Sequence, residues 1–108
     1  MVPTLVLGET AFMIARALGA RDEARFLAQL AAGDIQVEPV TRADLRRMSE
    51  LVAIYADLPL GTVDASVIAV AERLGVTTIA TIDRRHFSVV RPIHVPHFDL
   101  VPEPYANT

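Results

Sequence analysis

Acidic residues stand at three separate points of the 108-residue sequence where a carboxylate could do chemistry. Glu9 lies within an apolar stretch, Asp64 precedes a nearly wholly apolar run, and Asp83 directly follows a run rich in β-branched residues. Carboxylates that converge repel each other, and a buried carboxylate is costly unless it is paired or bound to a metal ion. Mg²⁺ and Mn²⁺ prefer oxygen ligands, and such an ion can activate water and stabilise charge on a phosphoryl oxygen. The spacing of these acids does not show whether they meet.

Basic residues follow the last of these acids at once, since Arg84, Arg85 and His86 come directly after Asp83. In open α/β sheets, ligands bind beyond the carboxyl ends of the strands. Cations at this position are therefore suited to phosphate groups, but an ordinary solvated turn has the same composition. For His86, the residue type and position favour a structural hydrogen-bond donor over a catalytic base.

The other two acids also have simple structural interpretations. Glu9 is compatible with the water-facing side of an amphipathic helix. Asp64 is a good helix N-cap. Along the helix predicted further upstream, Arg42, Arg46 and Arg47 are interpreted as a solvated face.

Composition restricts the class of protein. A chain of 108 residues with 52% hydrophobic residues fits one domain with a packed core. The absence of cysteine excludes disulfides and zinc–thiolate sites, and it suits a cytoplasmic location. No apolar run approaches the roughly 18 residues of a membrane span, so no membrane association is expected. The net charge of −3 does not indicate nucleic-acid binding, which would need local basic clusters.

Helical and strand patterns alternate along the chain and predict the α/β class with a parallel sheet. Helices are predicted over residues 3–18, 21–32 and 43–56, and from Asp64 to Leu74, with a Thr41–Asp44 capping box before the third. Strands are predicted around residues 35–40 and over residues 76–82, the latter buried on both faces. We expect one domain over residues 1–101 and a frayed tail over residues 102–108.

The stretch from Tyr55 to Phe87, YADLPLGTVDASVIAVAERLGVTTIATIDRRHF, resembles the C-terminal half of PIN-domain ribonuclease toxins of the VapC type. In that family an Asp-Ala pair opens a buried helix, which is followed by Leu-Gly, a strand and Thr-x-Asp-x-x-x-Phe. The matching residues here are Asp64-Ala65, Leu74-Gly75, Thr81, Asp83 and Phe87. The N-terminal VPTLVLGETAFMIARALG resembles the family helix that carries a second acid, which corresponds to Glu9.

The resemblance implies a Mg²⁺- or Mn²⁺-dependent endoribonuclease that is held inactive by a small antitoxin protein and that forms a homodimer. By this resemblance Glu9, Asp64 and Asp83 are the catalytic, metal-binding residues. Thr81, Arg84 and Arg85 are then the residues that contact the RNA substrate.

One family feature has no counterpart here. The family begins with a central strand that ends in Leu-Asp-Thr/Ser, whose Asp is a further metal ligand, whereas this chain starts at Met1-Val2-Pro3 beside the Glu9 helix. The resemblance therefore implies a PIN-like fold that is incomplete at its N-terminus, with weak or absent activity. The alternatives are a non-catalytic PIN-like remnant that binds an antitoxin, and an α/β domain whose acids serve only as caps and turns.

Overall fold

The computed structural model of the chain describes residues 2–81 and 85–101. In chain order the elements are β1 (Val2–Pro3), α1 (Thr4–Leu18), α2 (Ala20–Ala31), β2 (Val37–Glu38), α3 (Arg42–Ile54), α4 (Thr62–Leu74), β3 (Thr78–Ala80), α5 (Arg85–Val89) and β4 (Asp99–Val101). Across this part of the chain, no helix is both long and apolar enough to cross a membrane.

The strands form two separate parallel pairs. β1 pairs with β2 in the register Val2–Val37, and β3 pairs with β4 in the register Ile79–Leu100. Helices lie between the paired strands in the sequence, as parallel connections require. The predicted α/β class with parallel strands flanked by helices is confirmed.

The strand predicted over residues 76–82 is shorter than expected, and its burial on both faces was a wrong prediction. β3 covers Thr78–Ala80, in which Ile79 is buried while Thr78 and Ala80 are exposed. The β-branched run predicted a strand with two covered faces, but Thr78 and Ala80 are exposed, so no described element covers the face of β3 on which they lie. Residues 82–84 and the predicted tail, residues 102–108, lie outside the described residues.

The hydrophobic core lies almost wholly in the second half of the chain. It consists of Met48, Leu51, Leu60, Ala65, Ile68, Ala69, Ala71, Ile79, Phe87, Val90, Phe98 and Leu100. In contrast, α2 contains no buried residue, and Ala11 is the buried residue of α1. α4 is the central element, because six of its residues are buried.

The start of α3 and the end of α4 follow from local sequence. The predicted capping box is confirmed, since Thr41 Oγ1 accepts the Asp44 N–H at 3.1 Å and Asp44 Oδ2 accepts the Thr41 N–H at 2.9 Å. α4 ends at Gly75, which adopts a left-handed conformation with φ of 70°. A residue with a Cβ atom is strained in that region, so glycine suits this helix end.

A buried ion pair joins α3 to α4. Arg47 donates to both carboxylate oxygens of Glu72 at 2.8 and 3.1 Å, and the Glu72 side chain is only 2% exposed. The Ile93 N–H donates to the same carboxylate at 2.8 Å. The interpretation of Arg47 as part of a solvated face was therefore wrong, because the side chain turns toward α4, whereas Arg42 and Arg46 are exposed as predicted.

Candidate active site

Glu9 and Asp64 line the same depression of the surface, which we call the acidic cleft. Glu9 is an exposed residue of α1, and Asp64 lies in the first turn of α4. The cleft also contains Thr81, which follows β3, and its walls are apolar, with Val6, Met13, Val63, Val67, Ile79 and Phe87 among them. The fold thus brings together Glu9 and Asp64, two acids that are 55 positions apart in the sequence (64 minus 9).

The cleft lies at the carboxyl end of β3. Ala80 and Thr81 line it, and these residues end the strand and follow it. This is the end of a parallel strand at which α/β proteins bind ligands. Asp83, the residue on which the prediction of a site at this strand end was based, lies outside the described residues.

Asp64 is not a helix N-cap, so that interpretation was wrong. The N-cap of α4 is Gly61, and the helix begins at Thr62, two positions before Asp64. A carboxylate in the first turn of a helix is favoured by the partial positive charge of the helix N-terminus. The Asp64 carboxylate therefore does not cap α4, and the Asp64 side chain remains 32% exposed beside the cleft.

His86 of α5 is hydrogen-bonded to Asp64. His86 Nδ1 lies 2.5 Å from Asp64 Oδ2, and the His86 side chain is 21% exposed. Because an ionised carboxylate only accepts hydrogen bonds, Nδ1 is the protonated nitrogen when Asp64 is ionised. In that state His86 is a hydrogen-bond donor to Asp64, and the choice between a structural donor and a catalytic base stays a prediction.

Sequence reasoning did not predict that His86 is paired with Asp64. The two residues are 22 positions apart, and the contact depends on how α5 packs beside the start of α4. No local pattern carries such information. A continuation of the cleft lies around this pair, lined by Glu9, Pro59, Gly61, Thr62 and His86.

The remaining predicted site residues divide into described and undescribed ones. Thr81 is half-buried in the acidic cleft. Arg85 is exposed at the start of α5. Asp83 and Arg84, the predicted third acid and the first of the predicted phosphate-binding cations, lie outside the described residues.

The donor set in the acidic cleft has the right chemistry for a hard divalent cation. Glu9 and Asp64 supply carboxylate oxygens, which Mg²⁺ and Mn²⁺ prefer, and Mg²⁺ usually keeps several water ligands. Within residues 2–81 and 85–101, no group of three or more His, Cys, Asp or Glu side chains is placed to hold a metal ion. The described residues therefore provide two of the three predicted acids.

Two comparisons with known proteins agree with each other. Residues 1–91 match the family model described as PIN domain. Ribonuclease VapC26 of Mycobacterium tuberculosis (strain ATCC 25618 / H37Rv) is 32% identical to this chain over 102 residues, which cover 94% of the chain and 76% of that protein.

Proposed function

Because the chain belongs to the PIN-domain family, we propose that it is a ribonuclease toxin that hydrolyses RNA phosphodiesters with the help of Mg²⁺ or Mn²⁺. The observation that carries this proposal is the presence of Glu9 and Asp64, from different helices, in one cleft at the end of β3. The similarity to a protein named as a ribonuclease supports the reaction class.

Glu9 and Asp64 are the described residues that would hold the ion, and the family resemblance adds Asp83. When bound, the ion supplies a water molecule of lowered pKa and stabilises negative charge on a phosphoryl oxygen. The hydrogen bond from His86 restrains the rotation of the Asp64 carboxylate. A restrained ligand needs less ordering when the ion binds, so we propose that His86 positions Asp64.

RNA contacts are proposed at Thr81, Arg84 and Arg85. Thr81 lies in the acidic cleft and carries a hydroxyl group. Arg85 is the first residue of α5, is exposed, and precedes His86 in the sequence. Guanidinium groups suit phosphate oxygens because they donate paired hydrogen bonds. We further propose, from the family, a cytoplasmic protein that forms a homodimer and is inhibited by an antitoxin.

The test is RNA cleavage by the purified chain with Mg²⁺ or Mn²⁺, and again after addition of a chelator. The rate of RNA cleavage by the Asp64→Asn variant should be at least about 100-fold lower than that of the wild type, because the substitution removes a charged ligand of the ion. Asp34→Asn is the matched control, since Asp34 is an exposed residue outside the cleft. Metal-independent cleavage, or equal cleavage by wild type and Asp64→Asn, would overturn the proposal.

A second candidate is a non-catalytic module that binds an antitoxin. The observation that favours it is a set of exposed apolar side chains on α1 and α2, namely Phe12, Met13, Leu18 and Leu27. Exposed apolar side chains mark protein interaction sites where they form a contiguous patch, and α1 and α2, which carry these four, pack against each other. Binding of the antitoxin by a folded chain that cleaves no RNA under any metal condition would establish this candidate in place of the first.

A further inference from the structure

α5 is a helix of five residues, Arg85–Val89, and it carries His86, the partner of Asp64. A helix of about one turn is not stable by itself in water, so contacts outside α5 must hold it in place. Two buried apolar side chains supply part of this hold, because Phe87 is 5% exposed and Val90 is fully buried. They attach one side of α5 to the core, and a polar contact attaches its end.

The end of α5 is attached to the end of α3 through Tyr55. The Tyr55 hydroxyl oxygen accepts the Arg91 N–H at 2.9 Å, and Tyr55 is the residue that directly follows α3. The Arg91 guanidinium donates to the Ser88 and Val89 carbonyls, each at 3.3 Å, and so satisfies acceptors that a helix end leaves open. Arg91 therefore caps α5 with its side chain and is held by Tyr55 through its backbone.

The backbone carbonyl of Tyr55 folds the loop that leads to Asp64. It accepts the Leu58 N–H at 3.0 Å and the Leu60 N–H at 3.3 Å. Leu60 is buried, and the next residue, Gly61, is the N-cap of α4, whose first turn contains Asp64. Tyr55 thus contacts both the segment that precedes α4 and the segment that follows α5.

From these contacts we infer that Tyr55 is a positioning residue, which holds α5 beside the start of α4 so that His86 Nδ1 meets the Asp64 carboxylate. The Tyr55 ring packs against the hydrophobic core, and this fixes the place from which its hydroxyl group reaches Arg91. Tyr55 is absent from the described residues that line the acidic cleft and its continuation, so it acts through its neighbours. The consequence for RNA cleavage rests on the proposed function, in which Asp64 is a metal ligand.

The first measurement is the tautomer of His86 in the 108-residue chain without metal ion, at mildly alkaline pH. Nuclear magnetic resonance determines it from the shifts of the two ring nitrogens, recorded through the carbon-bound ring protons. We expect the proton on Nδ1, because the Asp64 carboxylate accepts there. Tyr55→Phe keeps the ring and the backbone carbonyl and removes only the hydroxyl group. The ratio of Nδ1-protonated to Nε2-protonated imidazole should fall at least about fivefold in this variant, since one hydrogen bond that places His86 is lost.

Ser88→Ala is the matched control, because it also removes one hydroxyl group. Ser88 is an exposed residue of α5, and its hydroxyl donates to the Arg85 carbonyl at 3.1 Å, within the same helix. This variant should leave the tautomer ratio of His86 unchanged. His86→Ala identifies the His86 signal among those of the three histidines. Circular dichroism and thermal unfolding ensure that all signals are recorded on folded chains.

RNA cleavage separates a positioning role from a general loss of stability. Tyr55→Phe should lower the cleavage rate at least about fivefold in the wild-type chain but less than about twofold in the His86→Ala chain, because Tyr55 acts through His86. If the substitution only lowered stability, it would reduce the cleavage rate by the same factor in both chains.

Two results would overturn the inference. One is the same tautomer ratio in the wild-type and Tyr55→Phe chains, or a wild-type His86 whose proton is on Nε2. The other is an equal loss of cleavage rate in the wild-type and His86→Ala chains. If the wild-type chain cleaves no RNA, the proposed function fails, whereas the tautomer ratio still decides whether Tyr55 positions His86.

Discussion

At the scale of single residues, Asp44 is a buried acid whose negative charge has several hydrogen-bond donors around it. Its carboxylate is 3% exposed and accepts from Arg73 Nε at 3.0 and 3.1 Å in addition to the capping bond. Burial alone raises the pKa of Asp44, but the hydrogen bonds from Arg73 and Thr41 outweigh it and hold the pKa below 3.8. The ionised form of Asp44 therefore stabilises the folded chain.

We expect Asp44→Asn to lower the free energy of unfolding by about 1–2 kcal/mol at neutral pH, because a buried charged hydrogen-bond acceptor is lost. The pKa of Asp44 is lower in the folded chain than its usual value of 3.8. Its stabilisation is therefore complete at pH values well above the usual pKa and is lost as the pH falls through the folded pKa. Urea unfolding between neutral and acidic pH measures this.

The control for this prediction is Asp34→Asn, which alters an exposed acid. The stability difference between wild type and Asp44→Asn should shrink in acid, while the small difference for Asp34→Asn stays nearly constant. A difference for Asp44→Asn that grows in acid would contradict the assignment of the charge as stabilising.

Some residue roles were predictable from the sequence and others were not. The capping box was predictable because Thr41 and Asp44 are three positions apart and their bonds are local. Asp64 also looked like a cap, but Gly61 takes that role, since helix starts depend on how the whole helix packs. Glu9 and Asp64 lie in one cleft. The family resemblance predicted that they would lie together, whereas their spacing in the sequence did not.

At the scale of elements, α3 and α4 are held together by the Arg47–Glu72 pair as well as by apolar contacts. The Glu72 carboxylate has three donors, two from Arg47 and one from the Ile93 N–H. Removing one partner of a buried pair leaves the other charge uncompensated, and this costs more than replacing both. Together with the Asp44–Arg73 pair, the Arg47–Glu72 pair therefore links α4 to α3, and the bond from the Ile93 N–H attaches the segment around Ile93 to Glu72.

We expect Arg47→Met to destabilise the chain by about 3 kcal/mol, because it leaves Glu72 charged and buried. The neighbouring substitution Arg46→Met, on an exposed residue of the same helix, should change stability by less than about 0.5 kcal/mol. Chemical denaturation of both variants provides the measurement. The double variant Arg47→Met with Glu72→Gln should recover part of the loss, and a double variant less stable than Arg47→Met would argue against this account.

Elements were predicted well where their signals are local. α1, α3 and α4 appear close to their predicted bounds, because apolar periodicity, capping residues and glycine stops mark them. β1 was missed, since Val2 and Pro3 alone carry no strand pattern and form one only by pairing with Val37 and Glu38. The buried pairing of Arg47 was also missed, because its partner lies 25 positions away on another helix.

At the scale of the whole molecule, the two halves of the chain are unequally anchored. The core cluster begins at Met48 and ends at Leu100, and α2 has no buried residue. Local opening is easiest where few apolar groups are buried. The α1–α2 unit is therefore expected to open more readily than the α3–α4–β3–β4 unit.

Amide hydrogen exchange tests this division. We expect the amides of α4 to exchange most slowly, with free energies of opening near the global value, and those of α2 to exchange with much lower protection. Ligands that bind the acidic cleft should increase the protection of α1. Equal protection of α2 and α4 in the free chain would contradict the division.

The acidic cleft takes one acid from each of these units, Glu9 from the weakly anchored one and Asp64 from the well-anchored one. On heating, the two walls should therefore separate before the core melts. Any activity of the cleft should then have an inactivation temperature below the unfolding temperature, and it should return on cooling while the core stays intact. Substitutions of exposed residues of α2 should therefore change the inactivation temperature without altering the residues that line the cleft.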